Sequence, residues 1–83
     1  MNVQEVIKEF IGHETDREVM EVYNIGHLYL LIAPHKNIEG PDFSDPQFLF
    51  SAKTNKYTPF IPSEDFKLYT KLVNPKNLIY SKE

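Results

Sequence analysis

The chain contains no cysteine. A disulfide framework, thiolate catalysis and cysteine-ligated zinc are therefore excluded, and the absence fits a reducing compartment. Glycine occurs only at positions 12, 26 and 40, so no glycine-rich loop exists to cradle a phosphate. Long apolar runs are also lacking. The longest, Leu28 to Ala33, falls far short of a bilayer span. The opening Met1-Asn2-Val3-Gln4-Glu5 has neither the basic nor the apolar region of a signal peptide. A soluble, cytoplasmic protein with no membrane association is expected. Arginine is limited to Arg17, and the net charge is -3 with a pI of about 5.6. Nucleic-acid binders usually show a basic footprint, so that class is disfavoured.

What remains is the composition of an ordinary small globular domain. The 83 residues imply one domain, 1–83, with hydrophobic residues at 41% and charged residues at 25%. Six Phe and five Tyr supply large apolar surfaces that let a small core close without staples. Charge is unevenly placed. Residues 1–52 carry nine acids against Lys8, Arg17 and Lys36, whereas residues 53–83 carry six lysines against Glu64, Asp65 and Glu83. An acidic surface that docks a basic partner is one reading of this split; solvated faces that partly neutralise each other is the other.

Hydrophobic periodicity sets the elements. Val3, Val6, Ile7, Phe10 and Ile11 form one stripe of a helix over 2–11, with Asn2 as N-cap, Glu5 completing a capping box and Gly12 as the stop. Residues 18–24 and 27–33 read as a hairpin around Asn24-Ile25-Gly26, although Val19, Met20 and Tyr23 also fit a helix capped by Thr15. The continuous apolar run of the second strand predicts a central strand, covered on both faces at least in part. Residues 34–46, with Pro34, Pro41, Pro46, Gly40, Asn37, Asp42, Ser44 and Asp45, are expected to be loop. A second hairpin follows, with Phe48-Leu49-Phe50, a turn in which Asn55 is able to take a left-handed conformation, and Tyr57 to Ile61 as a strand that is an edge or ends early, because Pro59 cannot donate to a ladder. A helix over 63–73 capped by Ser63, and either a short strand or a docked tail at 77–80, complete the chain. The expected fold is α+β: an antiparallel sheet of about four strands, with an N-terminal and a C-terminal helix packed on one face.

No catalytic constellation can be assembled. His13, Glu14 and Asp16 place an imidazole and two carboxylates within four residues, but the spacing matches no metal motif. Glu39, Asp42 and Asp45 in the 34–46 loop are carboxylates without a nucleophile–base–orienter set. A small metal- or ligand-binding domain or enzyme using His13, Asp16 and this loop is thus the alternative to a non-enzymatic protein-binding module. In the binding module, Glu39, Asp42, Phe43 and Asp45 are the candidate protein contacts. A nucleic-acid accessory role would rest on Lys53, Lys56 and Tyr57 sharing a face with Lys67, Lys71 and Lys76. No metal and no cofactor is expected, and an open sheet edge offers a route to a homodimer.

The stretch from Asp45 to Phe60, DPQFLFSAKTNKYTPF, resembles the hairpin-plus-helix unit of small bacterial α+β proteins, including some immunity proteins of polymorphic toxin systems and phage accessory proteins. A strand, a Lys-Thr-Gly-like turn, a second strand and a proline-rich lead into a helix follow in order, with Asn55 where glycine is usual. The resemblance implies a protein that binds a partner and assigns no site residue.

Overall fold

A computed structural model of the chain describes residues 2–36 and 46–82. The described elements are α1 (Val3–His13), β1 (Glu21–Ile25), β2 (Leu28–Ile32), β3 (Gln47–Ser51), β4 (Lys56–Pro59), α2 (Phe66–Leu72), a 3-10 turn (Pro75–Asn77) and β5 (Leu78–Ser81). The strands form one sheet in the order β4-β3-β2-β1-β5, antiparallel at every pairing. The fold is α+β. The described residues form five strands rather than about four, because residues 78–81 pair with β1 instead of trailing as a tail. No described helix is long and apolar enough to cross a membrane.

The two helices do not share a face, which corrects the expectation of one helical layer. α1 buries Val6, Ile7 and Phe10 against Val22, Tyr29, Leu31, Phe48 and Phe50. α2 buries Leu72 on the other side, where Leu30 and Phe60 are flanked by Tyr23, Leu28, Ile32 and Leu49. The cause lies in β2. Side chains alternate across a sheet, so Leu-Tyr-Leu-Leu-Ile sends apolar groups both ways and each face needs a cover. The helices divide that work, and β2 occupies the centre of the sheet as its run predicts.

Local chemistry explains most element ends. The Asn2 side chain accepts from the Glu5 N–H at 3.0 Å and donates back to the Glu5 carboxylate at 3.3 Å, so the capping box forms. Gly12 does not stop α1. The helix runs one residue further, and Glu14 N–H bonds to Phe10 O at 2.8 Å. Gly26 has φ +57° and opens the two-residue loop between Ile25 and Leu28, while the Asn24 amide donates to Gly26 O and Leu28 O at 3.0 Å each. Asn55 has φ +58°, the left-handed geometry expected for it. Ser63 does not cap α2. A turn closed by Glu64 N–H to Ile61 O takes up that stretch, and the Asp65 carboxylate caps instead, accepting from Leu68 N–H at 3.3 Å.

Before β1 the chain is already zipped to the segment after β2. Glu18 N–H bonds Pro34 O, Met20 N–H bonds Ile32 O, and Arg17 bridges to His35. Residues 34–36 are therefore an irregular continuation of the β1–β2 ladder rather than free loop. Arg17 itself is buried, its guanidinium donating to Ala33 O at 2.8 Å and lying 4.6 Å over the Phe48 ring. Lys82 pairs with Glu18, tying the end of β5 to the same region.

Candidate functional site

The sheet has two outer strands among the described residues, and a depression borders β4. It occupies about 310 Å³ and is lined by Phe10, His13 and Glu14 from α1 and by Phe48, Tyr57 and Pro59 from β3 and β4. The sequence builds it simply. α1 ends at His13, so its last turn overhangs β3 and β4, and the alternation of β4 points Tyr57 and Pro59 towards that helix. The floor is aromatic. Phe10 meets Phe48 at 5.0 Å and Tyr57 at 5.6 Å between ring centroids, and Tyr57 lies 4.4 Å from Phe50. The rim is polar, formed by the exposed His13, whose ring lies 6.4 Å from that of Tyr57, and by Glu14.

Tyr57 links the two layers. Its hydroxyl donates to Val6 O within α1 at 2.9 Å. Burial of the phenol, reinforced by the nearby Glu9 carboxylate, pushes its pKa up to about 12. The group is thus a neutral hydrogen-bond donor at physiological pH and not a general base.

The main chain of β4 completes the site. Phe60 N–H bonds Gln47 O at 3.0 Å. Facing residues in an antiparallel pair alternate between hydrogen-bonded and non-bonded, so Thr58 and Lys56 turn their amides towards β3. Tyr57 N–H, Tyr57 C=O and Pro59 C=O then point away from the sheet. Pro59 costs the ladder no bond at this position, because its missing N–H would have faced outwards.

The sequence-predicted residues are distributed differently from expectation. His13 lines the depression, but Asp16 turns elsewhere: its carboxylate meets His35 Nε2 at 3.3 Å and its carbonyl accepts from Lys36 N–H. Among the described residues, no group of three or more His, Asp or Glu side chains converges to hold a metal ion. Glu39, Asp42, Phe43 and Asp45 lie outside the described residues. Lys53, Lys56, Lys67, Lys71 and Lys76 are all exposed, and Lys56, alternating with Tyr57, projects from the face that α2 covers. Glu14, grouped with His13 by the sequence, joins it in lining the depression, and the residues that sequence reasoning missed are Phe48 and Pro59 as lining groups and Arg17 as a buried cation. Phe66 is the most exposed large apolar side chain described, at 66%, and is in contact only with its helical neighbour Tyr69 among the ring pairs of the described residues.

Comparison with protein families, with curated proteins and with solved structures finds no match to this chain.

Proposed function

We propose that the chain is a small, non-enzymatic protein-binding module whose contact surface is the β4 edge and the depression beside it. The observation that carries this reading is the coincidence of outward-facing main-chain donors and acceptors with an aromatic hollow on the same strand. Edge strands are templates for pairing, and a flanking pocket adds side-chain selectivity. The aromatic floor is of the residue type that dominates binding energy at interfaces. The resemblance of residues 45–60 to the hairpin of immunity proteins lends support, since such proteins act by holding a partner.

Site-specific photo-crosslinking tests the reading. A photoreactive residue at Thr58, exposed on the β4 edge, is compared with one at Thr70, exposed on α2, in extract from the source cells. One protein species joined at position 58 and absent at position 70 is expected. Equal products at both positions, or nucleic acid instead of protein, would refute it.

A further inference from the structure

Resting on the reading above, we propose that the occupant of the β4 edge is an extended segment of a partner protein, added as a sixth strand, with a lysine or arginine side chain laid into the depression. Three features of the molecule choose this occupant.

The first is the pattern of free main-chain groups. Tyr57 offers both an N–H and a C=O outwards, and two positions along Pro59 offers a C=O alone. An extended segment paired with Tyr57 exchanges two hydrogen bonds there and donates one more to Pro59. A helix, whose main-chain groups are already bonded along its own axis, cannot use these.

The second is the shape of the hollow. A residue of the added strand opposite Tyr57 projects to the same side of the sheet as Tyr57, which is the side of α1. It enters a hollow lined by apolar Phe10, Phe48, Tyr57 and Pro59 together with one acidic residue, Glu14. An aliphatic stem with a cationic head matches that mixed lining, the stem covering apolar surface and the head pairing with the acid. The half-buried Tyr57 ring adds an attractive surface for a cation.

The third is charge. Glu9 of α1 lies close enough to Tyr57 to act on its hydroxyl, and Glu14 lines the hollow, so two carboxylates lie on the α1 side of β4. Complementarity of this kind favours a basic segment. It also opposes a second copy of this chain. Pairing β4 with β4 about a two-fold axis puts both copies of α1 on one face, which brings four like-charged glutamates to the same side of the joined sheet.

The test is an amide-resolved NMR titration of the full chain with blocked synthetic pentapeptides of alternating Thr and Val and a central Lys, against the same peptide with central Glu and a third N-methylated at the Lys itself, whose N–H would bond Tyr57 C=O. The Lys peptide is expected to shift Tyr57 and the amides of residues 10–14. The Glu peptide should bind about tenfold more weakly, and N-methylation should abolish the shifts. The double variant Glu9→Gln, Glu14→Gln is expected to bring the Lys and Glu peptides to within about twofold of each other. Equal binding of the Lys and Glu peptides by the natural chain overturns the proposal, as does concentration-dependent dimerisation that broadens Tyr57 without peptide. No shift with any peptide at millimolar concentration also overturns it. If a protein nevertheless crosslinks at position 58, the binding-module reading stands and the added-strand mode alone is lost.

Discussion

Tyr57 is the residue where fold and site meet, and two substitutions separate what it does. Tyr57→Phe removes only the hydroxyl and its 2.9 Å bond to Val6 O. That carbonyl lies within α1 and keeps its helical partner, so no buried acceptor is orphaned. The expected loss is that of one neutral hydrogen bond, about 1 kcal/mol. Tyr57→Ala removes the ring as well, and with it contacts to Phe10 and Phe50. Full burial of an aromatic corresponds to about 3–5 kcal/mol on truncation, and half-buried Tyr57 should fall near about 3. A chain of this length holds roughly 4–12 kcal/mol in all, so the first variant folds comfortably and the second is close to its limit. The pH dependence gives an independent check. The folded pKa of about 12 lies above the ordinary value of 10.0. Between these values the unfolded chain has lost the proton that the folded chain keeps, so this contribution is complete below pH 10.0 and is lost as pH rises to about 12. Urea unfolding followed by circular dichroism, at neutral and alkaline pH, reads both effects. Tyr57→Phe should be less steeply destabilised by alkali than the natural chain. The reasoning fails if Tyr57→Phe is as damaging as Tyr57→Ala, or if the alkaline slopes of the natural chain and Tyr57→Phe coincide.

Three further outcomes are expected from the same unfolding assay. Leu72→Ala should cost about 2–5 kcal/mol because Leu72 is fully buried beneath α2, while Phe66→Ala, on the same helix but mostly exposed, should stay within about 0.5 kcal/mol of the natural chain. Arg17→Met should cost about 2 kcal/mol, since it gives up a charged hydrogen bond to Ala33 O and the contact over Phe48. Gly26→Ala should cost about 1 kcal/mol through its φ of +57° alone, a methyl group there meeting nothing within 4 Å, whereas Asn55→Gly should be neutral or mildly stabilising.

The periodic and punctuated parts of the chain were legible from residue type. The 3.6-residue stripe from Val3 to Ile11 and the Asn2 cap located α1, and Pro59 marked the edge strand. Gly26 lay at the heart of the first hairpin, though the turn sits one residue later than Asn24-Ile25-Gly26 suggested. The apolar run of β2 announced a central strand with both faces in need of cover. Its full consequence, one helix on each face, required knowing that α2 is short and lies across Leu30 rather than beside α1, and that depends on the path of the 60–65 turn. The 3-10 turn at Pro75–Asn77 delivers residues 78–81 to β1, and nothing local in Leu-Ile-Tyr-Ser chooses between strand and tail. The site was less legible than the fold. His13 and Glu14 stood out for their chemistry, but Phe48 and Pro59 become their neighbours only when α1 crosses the second hairpin. Arg17 is the only arginine of the chain, and its burial follows from the ladder that draws residues 16–20 against 32–36, a long-range pairing with no alternating pattern to reveal it.

The account turns on β4 presenting Tyr57 outwards with its main chain uncovered, and amide hydrogen exchange of the free protein tests this most directly. Thr58 N–H, turned towards Leu49 on β3, should exchange slowly, and Tyr57 N–H should exchange faster by orders of magnitude. Equal protection of the two amides would mean that the edge is already paired, and would contradict the proposed binding surface.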